Sequence, residues 1–169
     1  RIDFVTRVDW REKSKMLRVK FSASIDVPQA ACEIQFGHVF RPTHTNTSWD
    51  MAKFEVSHHR WADVSMPTAG VALLNDCKYG VRVHDCILDL NLLRSTDHPG
   101  IEADRGIHKF TYSLFPHEGD HIEGGVVREG YMLNIPVETM SVKPHKGSLP
   151  KSSSLVTVSD TNIVVEAVK

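Results

Sequence analysis

Residues 41–50 carry the densest mixture of polar and aromatic side chains in this 169-residue sequence. The segment contains several hydroxyls, the amide of Asn46, the imidazole of His44, the indole of Trp49 and the carboxylate of Asp50. Planar aromatic rings beside hydrogen-bonding groups can hold sugars by stacking and by bonds to hydroxyls. The same side chains also satisfy the backbone of long loops. The residues alone therefore favour neither a sugar site nor a self-satisfied loop.

The remaining residues with chemical potential do not assemble into a catalytic motif. The adjacent His58 and His59 would face opposite sides of a strand, so they could not chelate one ion together, and we expect no metal site. Seven aspartates between positions 50 and 104 show no spacing that pairs two of them as a glycosidase requires. No G-x-S-x-G motif supports a serine hydrolase. We therefore expect no catalytic residue within the chain.

The hydrophobic pattern that must position these residues has a period of two. Apolar and polar residues alternate over 2–10, 32–36, 86–93 and 109–114, which is typical of half-buried strands. Further strands are predicted at 16–27, 70–74, 126–134, 155–158 and 162–168. Residues 49–64 show no complete helical stripe and are predicted to form a loop with at most one helical turn. Short strands separated by Gly and Pro turn signals predict an all-β, antiparallel sandwich or barrel with little helix.

The composition changes once along the chain. Residues 141–154 are rich in Ser, Lys and Pro and nearly free of large apolar side chains, which predicts a linker or exposed loop. We expect residues 1–140 to form one β-sandwich domain. Residues 155–169 are expected to form a strand pair that starts or continues a truncated sheet. Because Arg1 opens directly on a strand pattern, the chain is expected to be a piece of a longer protein.

Charge and cysteine content restrict the expected partners and compartment. The formal net charge is −1, which excludes a domain-wide basic surface, so neither nucleic acid nor an anionic membrane is an expected partner. The three cysteines form no even set and no C-x-x-C pair, which favours reduced thiols in the cytoplasm over a disulfide framework.

Many ordered segments within residues 1–136 resemble the C-terminal β region of glycoside hydrolase family 38, the class II α-mannosidases, in their cytosolic and bacterial subgroup. The segments that carry this resemblance are residues 1–4, 8–10, 33–38, 41–44, 46–50, 59–63, 71–76, 78–80, 92–94, 103–106, 110–112 and 115–117. The resemblance implies an antiparallel β-sandwich of the galactose-mutarotase-like super-sandwich type. It also implies that the chain packs on its own N-terminal catalytic domain and completes a cleft for mannose-containing oligosaccharides.

The resemblance further implies the chemistry of the complete enzyme. The family hydrolyses α-mannosidic bonds with retention, using an Asp nucleophile, an acid/base carboxylate and Zn²⁺ or another divalent metal. Those groups belong to the N-terminal domain, so the chain alone is expected to be inactive and to hold no cofactor. Arg105-Gly106 matches a position that reaches the substrate in some members. We therefore expect Arg105, together with Asn46 and Trp49, to bind substrate. The residues also leave an independent, lectin-like carbohydrate-binding module as an alternative, and a homo-oligomer is compatible with either hypothesis.

Overall fold

The residues that the structure describes form ten strands and two short helices. The structure, a computed structural model, describes residues 1–160 and 163–168. The elements are β1 (Ile2–Trp10), β2 (Met16–Ser22), β3 (Gln29–Ile34), β4 (Gly37–Pro42), α1 (Ser48–Met51), β5 (Val56–Ser57), β6 (Trp61–Met66), β7 (Ala69–Asn75), β8 (Gly80–His84), β9 (Ile87–Arg94), β10 (Gly106–His117) and α2 (Val126–Asn134). All of the strand pairs are antiparallel, as the sequence predicts.

Two sheets enclose the main hydrophobic core. A six-stranded sheet has the order β1-β10-β7-β6-β3-β4, and a four-stranded sheet has the order β2-β9-β8-β5. The core includes Val64 and Leu73 from the larger sheet and Val81, Leu88 and Leu90 from the smaller one. Burial of such side chains stabilises the fold by about 1.5–3 kcal/mol each. The prediction of an antiparallel β-sandwich is confirmed.

The alternation that predicted β1 is visible in its burial. In β9, Asp89 is buried together with Leu88 and Leu90, and the period also breaks near the end of the strand. A register shift lies opposite Leu17 and Arg18, where Leu17 faces Leu93 but Arg18 faces Asn91. The extra residue on β9 is a β-bulge, which locally breaks the period of two. Both Leu92 and Leu93 are consequently buried.

The prediction of a strand over residues 126–134 is wrong, because this segment forms helix α2. Val126 and Gly130 are buried, and Val126 packs with Trp61 and Leu74 on the outer face of the six-stranded sheet. Two β-branched residues and a glycine favour helix only weakly, but burial of one face overrides that propensity. Gly130 permits the close approach, since a Cβ there would lie 2.9 Å from Cδ1 of Trp61.

The loop predicted for residues 49–64 is only partly present. The single helical turn is confirmed as α1, but β5 and β6 follow it before Val64. Residues 61–64 of β6 are all buried, because core side chains lie on one face of the strand and the α2 layer on the other. A strand buried on both faces shows no alternation, so periodicity does not reveal it.

The C-terminal segment forms a separate compact unit, Glu138–Lys169, distinct from Arg1–Val137. Its described residues contain no strand, so the predicted strand at 155–158 is absent, and residues 163–168 of the second predicted strand are likewise not in a strand. Residues 161, 162 and 169 of that prediction lie outside the described residues. Isolated hairpins are marginal in water, and an apolar period of two does not form a strand without a partner. Pairing of this segment with a sheet elsewhere stays a prediction.

Candidate functional site

The loop after β4 is held by a capped helical turn. The hydroxyl of Thr47 accepts a hydrogen bond from the backbone N of Asp50 at 3.1 Å and donates to its Oδ2 at 2.7 Å. This reciprocal bonding is a helix N-cap. Lys53 and His44 lie 3.6 and 3.7 Å from the Asp50 carboxylate. The Thr47 bond holds the pKa of Asp50 below its ordinary value. Asp50 is therefore an ionised group whose contacts hold the loop together.

The cap presents Trp49 and Asn46 to solvent. Trp49 is 80% exposed on the first turn of α1. Asn46 is also exposed, and its backbone N donates to Nδ1 of His44 over 3.4 Å. An exposed indole beside a free amide matches the stacking and hydrogen-bonding requirements of a sugar. Their role in substrate binding stays a prediction.

A tight turn between β9 and β10 positions Arg105. Asp104 has a positive φ of 55°, and its Oδ2 accepts from the backbone N of Arg94 at 2.9 Å. Its carbonyl lies 2.8 Å from Nε2 of His108, which donates to it. Gly106 has a φ of 140°, which a residue with a Cβ rarely adopts. These contacts fix the backbone on both sides of Arg105.

The Arg105 guanidinium keeps donors that the described residues do not use. Its Nη1 lies 3.4 Å from Oε1 of Glu102, which is a long and largely exposed contact. Its Nε is buried without a hydrogen-bond partner among the residues that the structure describes. A buried donor without an acceptor is unfavourable, so an incoming oxygen atom would satisfy it. This geometry suits the predicted contact of Arg105 with a hydroxyl of the substrate.

The three predicted substrate-binding residues come from two separate loops. Asn46 and Trp49 belong to the β4–β5 connection, whereas Arg105 belongs to the β9–β10 connection. Within the described part of the chain, no hydrogen bond or ring contact joins Arg105 to either of them. Both connections contribute to one cavity, which is lined by Glu55 from the first and by residues 95–97 from the second, with Arg94 at the end of β9. Sequence reasoning did not find this cavity, although the polar run 94–97 directly after an apolar strand was a usable signal.

An arginine on the outer face of the four-stranded sheet, Arg18, binds two acidic side chains. Arg18 donates from Nε to Oδ1 of Asp89 at 2.7 Å and from Nη1 to Glu55. A retaining glycosidase needs two carboxylates about 5–5.5 Å apart with the scissile bond between them. Here a guanidinium occupies the space between the carboxylates and neutralises them. The pair is therefore unsuited to attack on a glycosidic bond.

A second polar cluster lies on the outer face of the six-stranded sheet, and sequence reasoning missed it. Nε2 of His117 lies 2.8 Å from Oδ1 of Asp63, and His121 stacks edge-on against His38 with ring centroids 4.5 Å apart. Burial raises the pKa of Asp63 and, together with His38, lowers the pKa of His121. The His-x-x-x-His spacing of 117 and 121 was the available signal. Among the described residues, however, no three His, Cys, Asp or Glu side chains converge as metal ligands.

The cysteines are unpaired in the described structure. Cys32 is a buried core residue, Cys77 is exposed, and none of the three forms a disulfide. Burial raises the pKa of the Cys32 thiol to about 11. A thiol of such pKa behaves as a small hydrophobic group. In the described residues, no helix is long and apolar enough to cross a membrane.

Comparison with known proteins extends these observations. The two-sheet fold resembles a crystal structure of an α-mannosidase from Enterococcus faecalis, with a TM-score of 0.77 over 87% of this chain and 18% of that one, at 20% sequence identity. This likeness establishes the fold class. The family model of the glycosyl hydrolases family 38 C-terminal domain matches residues 1–102. The chain belongs to this family, and the resemblance seen in the sequence is confirmed.

Two curated relatives show how much of a longer protein the match covers. Human alpha-mannosidase 2C1 is 48% identical over 169 residues, which is 99% of this chain but 16% of the relative. Alpha-mannosidase G of Dictyostelium discoideum is 53% identical over 134 residues, covering 79% of this chain and 12% of the relative. The chain thus spans about one sixth of the length of the first of these relatives.

Proposed function

We propose that this chain is the non-catalytic β-sandwich of a retaining α-mannosidase, and that it packs against the catalytic domain and completes the substrate cleft. The observation that carries this proposal is the family 38 C-terminal match, with relatives that are named α-mannosidases. The Arg18-bound carboxylates support a non-catalytic role for the chain itself, because they leave no space for a sugar between them.

In this proposal the chemistry resides outside the chain. The nucleophile, the acid/base carboxylate and Zn²⁺ or another divalent metal are supplied by the catalytic domain. The residues described here offer no convergent ligand set for that metal, so no step of the reaction is assigned to them. This chain contributes Arg105, Asn46 and Trp49 to substrate binding. The free thiols fit a reducing compartment, and we place the complete enzyme in the cytoplasm.

Activity measurements on the chain and on the complete enzyme test this division of roles. The complete enzyme is expected to hydrolyse an aryl α-mannoside with retention, whereas the purified 169-residue chain is expected to give no turnover above a buffer control. The chain should leave the substrate intact even when divalent metal is added. Turnover by the chain would refute the non-catalytic role, provided that a mock purification from host cells without the chain shows no mannosidase activity.

The exposure of Trp49 favours one alternative, an independent carbohydrate-binding module. An indole that is 80% exposed on a capped turn is available to stack on a sugar without any second domain. This alternative predicts saturable heat on titration of the chain with mannose, lost in Trp49→Ala and kept in Met51→Ala, which alters an exposed neighbour on the same turn. Calorimetry without heat from mannose or short mannosides would reject it.

A further inference from the structure

A cavity of about 440 Å³ opens at the end of the sandwich where β1 turns into β2. It is lined by residues 14–16, residues 94–97 and Glu55. This volume lies within the range of small-molecule sites in proteins. None of the groups that line it belongs to the three predicted substrate-binding residues.

The two walls of the cavity are fixed to each other by hydrogen bonds. The backbone N of Ser95 donates to the carbonyl of Lys15 at 2.9 Å. The hydroxyl of Ser14 donates to Oδ2 of Asp97 at 2.5 Å. Nε1 of Trp10 donates to the buried hydroxyl of Ser95 at 2.6 Å and so anchors the floor. A cavity held in this way loses little entropy when a ligand enters.

The charges of the lining favour a neutral, polyhydroxylated ligand. Lys15 and Arg94 are positive while Glu55 and Asp97 are negative. Lys15 and Glu55 are themselves paired with Glu12 and Arg18, so the charges around the lining balance. An anion would meet two carboxylates and a cation would meet two basic groups, which is unfavourable in both cases. Met16 is the one apolar residue of the lining.

The hydrogen-bonding groups of the lining match those of a sugar. Among the described residues, neither the guanidinium of Arg94 nor the hydroxyl of Thr96 makes a hydrogen bond. Arg94 supplies donors only, whereas Thr96 can both donate and accept. A sugar hydroxyl also does both, and the half-exposed Met16 offers an apolar contact for the C–H face of a pyranose ring.

The cavity and Arg105 are carried by the same loop. The backbone N of Arg94 donates to Oδ2 of Asp104, the residue directly before Arg105. We propose that the cavity lined by residues 14–16, Glu55 and 94–97 binds a neutral sugar residue of the oligosaccharide substrate, with Arg94 and Thr96 as its principal contacts. This inference rests on the proposed function and adds a sugar-binding position to it.

Nuclear magnetic resonance titration of the 169-residue chain tests binding directly. With methyl α-mannoside and with an α-linked mannotriose, we expect saturable shifts of the Ser95 and Thr96 amides. Arg94→Gln and Thr96→Val should each raise the Kd at least fivefold. Arg7→Gln removes an exposed arginine of β1 that makes no described side-chain bond, and it should leave the Kd unchanged. A response to the mannotriose alone would show that the cavity binds only an extended oligosaccharide. A response to both ligands would show that it also binds a single mannose residue.

Several outcomes would overturn the proposal. These are the absence of saturable shifts, shifts confined to residues 43–50, equal affinity in all variants, or displacement of the sugar by equimolar inorganic phosphate. If a variant of the chain does not fold, the complete enzyme supplies a second readout. There Arg94→Gln should raise the KM for the mannotriose at least threefold, whereas Arg7→Gln should leave it unchanged. Absence of mannosidase activity in the complete wild-type enzyme would refute the proposed function. The titration of the chain measures sugar binding at the cavity and does not depend on that activity.

Discussion

His117 and Asp63 form a buried pair that joins β10 to β6 across the outer face of the six-stranded sheet. Nε2 of His117 lies 2.8 Å from Oδ1 of Asp63, and the two side chains are only 2% and 0% exposed. Two glycines pack against the imidazole, since a Cβ at Gly70 or Gly124 would lie 2.2 or 2.1 Å from its ring atoms. The ring thus has one position, and the pair fixes the segment that leads into α2.

Removing one partner of this pair should destabilise the fold strongly. Asp63→Ala leaves His117 enclosed without its acceptor, and breaking a buried pair from one side costs about 3–5 kcal/mol. The free energy of unfolding from urea denaturation measures the loss. Asp9→Ala is the matched control, because its partner Arg11 is exposed and such surface pairs contribute less than about 1 kcal/mol. Equal losses in the two variants would show that the His117 pair is solvated.

Stability should fall on mild acidification because of His58. Nδ1 of His58 lies 3.2 Å from the carbonyl of Tyr79, and its Nε2 lies 2.9 Å from Nδ2 of Asn75. The ring therefore donates to Tyr79, accepts from Asn75 and is neutral. Burial lowers the pKa of His58 from 6.5 to about 4. As the pH falls, His58 is protonated in the unfolded chain before it is protonated in the folded one. The stabilisation that depends on neutral His58 is therefore complete above the unfolded pKa and is lost as pH falls from about 6.5 towards 4.

Protonation of His58 should lower the free energy of unfolding by about 2 kcal/mol between pH 7 and pH 5. Urea unfolding at both pH values, in wild type and in His58→Gln, measures it. The lowered pKa of His121 acts in the same direction and the raised pKa of Asp63 acts in the opposite one, but both are present in each protein. The wild type should therefore lose about 2 kcal/mol more than the variant. Identical losses would refute the assignment to His58.

Gly130→Ala should lower stability although it improves helix propensity. The added Cβ would lie 2.9 Å from Cδ1 of Trp61, which is itself buried and so has little room to move. Alanine gains about 1 kcal/mol in a helix, while overpacking costs about 1–3 kcal/mol. A net loss of about 1 kcal/mol is expected in thermal or urea unfolding. Gly147→Ala, where no atom lies within 4 Å of the new Cβ, should change nothing; a stabilised Gly130→Ala would show that α2 can shift outward.

The comparison of sequence with structure separates two kinds of element. Strands with one face on the core, such as β1 and β10, alternate and could be predicted. β6 could not, because Trp61, Ala62, Asp63 and Val64 are buried on both faces. The helix α2 was misassigned because Val126 and Val127 favour strands, whereas its formation depends on packing against β6 and β7. Periodicity reports local burial and does not reveal which distant surface provides it.

The candidate site shows the same limit. The polar composition of residues 41–50 predicts Asn46 and Trp49 as binding residues, and the family resemblance predicts Arg105. Neither could show that Arg94 and Thr96 share a cavity with Lys15, because that contact depends on the pairing of β2 with β9. The His117–Asp63 pair likewise joins residues 54 positions apart. Such sites arise from strand register, which a single sequence specifies only indirectly.

Arg105→Ala should impair catalysis by the complete enzyme while sparing its stability. The guanidinium makes one long contact to Glu102, and its Nε has no partner in the described residues, so its removal breaks little within the chain. A charge-assisted hydrogen bond to the substrate contributes about 1.5–3 kcal/mol, which corresponds to a fall of about 10- to 100-fold in kcat/KM. Steady-state kinetics with an aryl α-mannoside measure this fall, and the melting temperature should shift by less than about 1 °C. Glu102→Gln, which weakens the contact to Arg105 without removing the guanidinium, should retain most of the activity. A group that contacts the substrate in the transition state cannot be removed without raising the activation barrier. An unchanged kcat/KM in Arg105→Ala would therefore show that Arg105 does not contact the substrate and is only a surface residue of the turn at Asp104.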